Sequence, residues 1–148
     1  MLYQNTLQLA EHSQGAYEIT ELIEEIIKKS KVHTGTCHLF IHNSSSAILI
    51  SDTADDSIKD DTVDFLAQLA PSSIDSNENI NNAMNAVPAA MKHARSQSEL
   101  TIPVTNSRPG IGVWQGIFLW EYKSAPIERK LTITIIGEAQ HKSFRLTR

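Results

Sequence analysis

Two hydrophobic periods alternate along this chain. Residues 2–9 and 16–19 place apolar side chains at every second position, which predicts strands. Leu22, Ile23, Ile26 and Ile27 then fall on one helical face, with Thr20 offering an N-cap oxygen. Lys28, Lys29 and Lys31 cluster at the C-terminal end, where cations suit the helix dipole, and Gly35 is expected to stop the helical region. Residues 36–42 and 46–51 return to alternation, with Cys37, Leu39 and Ile41 on one face and His38, Phe40 and His42 on the other. A helix is predicted over 55–70, with acids in its first turn, a stripe of Ile58, Phe65, Leu66 and Leu69, and Pro71 closing it. The Asn-rich stretch 75–85 reads as a loop, and Asn85 with Pro88 starts a short helix. Strands are expected at 98–104, 117–122 and from Leu131 and His141, the last two completing a meander punctuated by Gly137.

Strands, helix, strands, two helices and strands in that order predict an α+β fold. Its expected form is a largely antiparallel β-sheet with helices packed on one side. The 148 residues suit a single domain, 1–148, with no internal repeat or linker. A formal net charge of -4 without a basic run argues against nucleic acid as a partner. The single cysteine, Cys37, forbids an internal disulfide and suits a reducing compartment. The first fifteen residues lack the basic start and apolar core of a signal peptide, and no run is long enough to span a bilayer. The expectation is a soluble, cytoplasmic protein without a membrane partner.

The stretch GVWQGIFLWE, 112–121, carries the strongest sign of a site. Alternation puts Ile117, Leu119 and Glu121 on one face, and Phe118 and Trp120 on the other. Glu121 is therefore expected to be buried, where a carboxylate must find a partner or become harder to ionise. Trp114, between Gly112 and Gly116, either plugs the end of the sheet or lines a ligand, and the glycines mark a bulge or a close backbone approach.

With these residues in view the chain resembles the YjbQ-like family, often labelled secondary thiamine-phosphate synthase. The landmarks are GVWQGIFLWE, where the family pattern is close to LGTWQGI followed by a strand and Glu, the strand pair and Asp-rich segment over 36–69, LAP at 69–71, Pro88-Ala89, and TIPV at 101–104 with Arg108 after it. The resemblance implies a homotrimer with sites near subunit interfaces. It also implies three histidines gathered at one polar site suited to a metal, in patterns close to HTSA, YxH and AH. The matching positions here are Asn43, Asn79 and Ala90. A family Glu is matched by Asp52, and further family positions by Asp61, Asn85 and Pro88.

An amide oxygen is a poor substitute for imidazole on a transition ion, and Ala supplies no ligand. Neither residue titrates near neutral pH, so a proton-transfer step assigned to those histidines is expected to be lost. No metal and no cofactor are therefore expected. Asn43, Ser44, Ser45, Asn79, Asn85 and Gln115 retain hydrogen-bonding capacity for a polar pocket, joined by Asp52, Arg108, Trp114, Gly116 and Glu121 as binding candidates. His42 is not expected to replace the missing imidazole, because a one-residue slip along a strand turns a side chain to the other face. His38 and His42 are separated by roughly 13 Å of extended chain, which leaves two partly exposed strand histidines as the favoured reading. His93 reads as part of a solvated face, and Ser44 lacks a neighbouring base to activate it.

Two functions are carried forward. One is a degenerate family member that keeps the fold, the assembly and a small-molecule pocket without the metal-linked chemistry. The other is a weak thiamine-phosphate synthase-type enzyme, for which Arg108, Arg129 and the amides around Trp114 are candidate contacts for a phosphorylated or anionic ligand.

Overall fold

The computed structural model describes residues 1–12, 15–43, 46–53, 97–121 and 127–140. The helices expected over 55–70 and after Asn85, the loop over 75–85 and the strand from His141 lie outside them. The described elements are β1 (Leu2–His12), β2 (Gly15–Glu18), α1 (Thr20–Ser30), β3 (Thr34–Ile41), β4 (Ser46–Asp52), β5 (Glu99–Thr105), β6 (Arg108–Pro109), β7 (Gln115–Glu121) and β8 (Ile127–Glu138).

The predicted antiparallel sheet is present as two sheets. One has the order β1-β8-β3-β5-β6 and the other β2-β7-β4, with every described pairing antiparallel. Alternation explains how they pack. Cys37, Leu39 and Ile41 of β3 and Leu131, Ile133 and Ile135 of β8 turn inward from the larger sheet, and Ile48, Ile117 and Leu119 face them from the smaller one. Ile23, Ile26 and Ile27 of α1 join this core, and Leu22 packs against its margin. Ala47, Phe118 and Trp120 are buried on the opposite face of the three-stranded sheet, so β7 is enclosed on both sides.

Four local expectations need correction. Thr20 does not cap α1. The N-cap is Ile19, which makes no side-chain cap bond, and the Thr20 hydroxyl instead accepts the Ile117 N–H at 2.9 Å, tying the helix start to β7. Gly35 does not stop the helix either, because Lys31 does so in the left-handed conformation at φ 61°. Gly35 and Gly137 face each other across β3 and β8, where a Cβ on either would meet the other strand's backbone. Gly137 is therefore a close-approach residue within β8 and does not punctuate a meander. Finally, β8 lies between β1 and β3, and a two-residue strand β6 follows the Asn106-Ser107 turn, whose residues both have positive φ.

Candidate functional site

Glu121 ends β7 on the inward face and is 2% exposed, as its alternation with Ile117 and Leu119 requires. Its partner is Arg129, 6% exposed, on the inward face of β8. Arg129 Nε donates to Glu121 Oε2 at 2.7 Å and Nη2 donates to Oε1 at 2.8 Å, a two-pronged ion pair that bridges the two sheets. Arg129 was assigned above to an anionic ligand; it is instead built into this pair. The sequence signal was available, since Arg129 has the same parity as the buried Leu131, Ile133 and Ile135. Ser46, opposite Glu121 in the register, is fully buried, and its hydroxyl donates to Asn43 Oδ1 at 2.6 Å. Asn43, Ser46, Glu121 and Arg129 thus gather at one end of the sandwich. Ser46 is a member of this group that sequence reasoning did not single out.

Trp114, Gln115, Gly116 and Asp52 lie at the other end of β7. Asp52 pairs with Gln115 in register, whereas Ser46 pairs with Glu121, so the two groups are separated by about 20 Å of strand at ~3.4 Å per residue. The described candidate residues are therefore not one constellation within a chain. Trp114 does not plug the sheet. It is 67% exposed on a tight turn in which Gly112 N–H donates to Gln115 Oε1 at 2.7 Å and Gln115 N–H donates to Gly112 O at 3.0 Å. Its carbonyl accepts the Thr53 N–H at 2.8 Å. Gly116 is a close-approach residue in an unbroken register, because a Cβ there would stand 2.5 Å from Thr53 Cγ2 and 2.8 Å from Glu18 Oε1.

Arg108 is elsewhere again. It is exposed on β6, with Nε 3.5 Å from Glu24 Oε1 on α1. The Lys28 ammonium, hydrogen-bonded to Glu24 at 2.6 Å, is the main reason that the Glu24 carboxyl sits below its ordinary range, and Arg108 adds to it. Arg108 lies by the Thr34 end of β3 and Arg129 by its Ile41 end, about 24 Å apart along the strand. The proposed phosphate contacts do not converge: the Gly112 amide is taken by Gln115, and the two guanidinium groups point to different carboxylates.

His38 and His42 occupy the outer face of the five-stranded sheet, opposite Leu39 and Ile41. His38 Nδ1 is 2.9 Å from Thr101 Oγ1 and its Nε2 is 3.7 Å from Glu99, while His42 Nε2 is 2.7 Å from Thr132 Oγ1. Both belong to a hydrogen-bonded surface, as favoured above. Among the described residues, no group of three or more His, Cys, Asp or Glu is placed to hold a metal ion. Ser44, Ser45, Asn79, Asn85, Ala90 and Asp61 lie outside the described residues. Trp120, 6% exposed and facing away from Glu121, carries an indole Nε1 with no hydrogen-bond partner among the described residues.

Comparison with known proteins fits this fold. The family model described as "UPF0047 protein YjbQ-like" matches residues 5–138. A UPF0047 protein of Synechocystis is 29% identical over 136 residues, covering 92% of each chain, and one of Methanocaldococcus jannaschii is 31% identical over 121 residues, covering 82% of this chain and 84% of that one. A solved structure described as a YbjQ-like protein of unknown function, from Sulfolobus solfataricus, superposes with a TM-score of 0.78 at 24% identity, covering 93% of this chain and 99% of the other. No described helix is long and apolar enough to cross a membrane. With its family model matched over nearly the whole chain and the same fold in a solved relative, this chain belongs to the YjbQ-like UPF0047 family.

Proposed function

We propose that this chain is a divergent YjbQ-like protein that keeps the fold, a polar small-molecule pocket and a trimeric building unit but not metal-linked chemistry. The observation that carries the reading is Asn43. It stands where the resemblance sets the first histidine, at the end of β3 beside the Glu121–Arg129 pair, and its side-chain oxygen is held by the Ser46 hydroxyl. An amide in that setting accepts and donates hydrogen bonds, but it neither moves a proton near neutral pH nor holds a transition ion well. The neighbouring imidazole does not substitute, because His42 is on the outer face with Thr132. The ligand on this reading is a small anionic or phosphorylated molecule held by neutral polar groups.

Metal content tests the reading directly. Purified protein is expected to contain well under one zinc per chain, and one tightly held ion per chain would overturn it. Restoring Asn43→His, Asn79→His and Ala90→His together is expected to create zinc affinity; a triple variant that binds no better than the parent would refute the register behind the proposal. The second reading, a weak thiamine-phosphate synthase-type enzyme, draws on the resemblance at GVWQGIFLWE. Growth of a thiamine-phosphate synthase mutant supplied with this chain would favour it over the first.

A further inference from the structure

β1 changes its alternation just before it ends. Leu9 is opposite Arg129 and His12 opposite Ile127, so Ala10 and Glu11 together stand against Glu128 alone. Such a bulge re-aims the side chain that follows it. Simple alternation from the buried Leu9 would send His12 to the outer face, and the extra residue returns it to the face of Leu9 and Arg129. There the half-buried imidazole stacks on the Tyr17 ring, with centroids 3.9 Å apart and planes 23° from parallel. Tyr17 reaches it from the other sheet, where its register partner on β7 is the buried Leu119. In the five-stranded sheet His12 is a diagonal neighbour of Arg129, ~7–8 Å away between backbones. In the three-stranded sheet the Tyr17 hydroxyl folds back to 3.4 Å from the point where a Cβ on Gly15 would stand, and Gly15 is the register partner of Glu121. An imidazole–phenol link between the sheets therefore stands beside the guanidinium–carboxylate link of Arg129 and Glu121.

Charge distinguishes the two links. Arg129 and Glu121 cancel each other, so among the described residues the net charge of this inner face is set by His12, of the side-chain type that changes charge between about pH 5 and 8. Glu11 is exposed on the same strand, and Glu128 and Lys130 belong to the outer face, where Glu128 accepts from Gln8 Nε2 at 2.7 Å. The other described histidines are elsewhere: His38 and His42 on the outer face, and His33 at the far end of β3, where its N–H donates to Glu138. We propose that this end of the sandwich binds a small oxyanion, and that His12, positioned by Tyr17, is the cation that admits it when protonated. A protonated imidazole adds one positive charge beside a neutral pair and turns both ring nitrogens into donors, whereas the neutral ring brings no charge. Partial shielding by the two sheets makes that attraction stronger than a fully solvated charge would provide. The inference takes from the proposed function only the class of ligand, and β1 supplies the imidazole that Asn43 does not.

Calorimetric titration of the full chain with sulfate is the test, because sulfate keeps its charge between pH 6 and pH 8 and any pH dependence belongs to the protein. The parent is expected to bind about tenfold more weakly at pH 8 than at pH 6. His12→Phe keeps a ring on Tyr17 and removes the proton, so it is expected to bind at the weaker level at both pH values. His42→Phe, on the outer face, is expected to behave as the parent does. A second measurement needs no variant: at pH 6 the His12 ring signals in the parent's nuclear magnetic resonance spectrum are expected to move as sulfate is added, while those of His38 and His42 stay. Sulfate affinity that does not change with pH, no binding at pH 6, a folded His12→Phe that keeps the dependence, or stationary His12 signals would each overturn the proposal. Zinc content bears on the proposed function alone, so the two readings fail separately.

Discussion

Arg129→Met would leave the Glu121 carboxylate between the two sheets without the guanidinium that now meets both its oxygens. The side chains of the pair are 6% and 0% exposed, so water cannot easily take the place of the lost donors. Removing one partner of a buried ion pair typically costs about 3–5 kcal/mol, whereas replacing both with apolar groups of similar size is near neutral or stabilising. Domains of this size have roughly 5–15 kcal/mol in all, so the single change should consume a large share of the total. Urea unfolding of the parent, Arg129→Met and Glu121→Met/Arg129→Met separates the cases. The single variant should lose about 3–5 kcal/mol and the double variant should recover most of it. A single variant that loses less than ~1 kcal/mol, or a double variant no better than the single, would refute the assignment of this pair as a bridge between the sheets.

Two further outcomes follow from close packing and burial. Gly35→Ala would drive a methyl group into the Ile136 carbonyl and the Gly137 backbone, and should cost about 3 kcal/mol, the upper part of the overpacking range. Gly116→Ala meets the Thr53 methyl, so Thr53→Ser in the same chain should restore part of its loss in thermal unfolding, whereas no recovery would show that Thr53 is not the obstacle. Burial pushes the Cys37 thiol from an ordinary value of 9.0 up to about 12. A thiol-specific reagent at pH 8 should modify it only at the rate of unfolding, and rapid labelling of folded protein would count against its burial. The same shift has a definite sign for stability. The folded state holds the proton more tightly, so this contribution is complete below about pH 9 and falls away as pH rises towards 12.

Much of this fold could be read from alternation alone. The inward and outward faces of β3 and β7 follow directly from the order of apolar and polar residues in TGTCHLFI and QGIFLWE, as does the burial of Glu121. What alternation cannot supply is which strand pairs with which. Nothing local in LTITII places it between β1 and β3, because both faces of an interior strand look the same whichever neighbours flank it. Glycine misled for a related reason: Gly35 and Gly137 read as punctuation in one dimension and become a contact only when their strands are brought together. The candidate site was partly legible. Asn43 and Glu121 fall at one end of the smaller sheet, but Trp114, Gln115 and Asp52 were grouped with them through the resemblance, which carries no distances, and an extended strand sets its two ends apart at ~3.4 Å per residue.

The central position of β8 bears on how the chain is made. Its partner β1 is made well before it, and Met1 and Gly137, whose backbone groups bond to each other, are 136 residues apart. Until that late strand is synthesised, β1 and β3 both present open edges to their surroundings, and the larger sheet cannot close by local steps. Newly made chains must therefore pass through an interval in which strand-to-strand sticking competes with folding, and chaperone shielding or a rapid final insertion decides how many of them reach the finished sandwich.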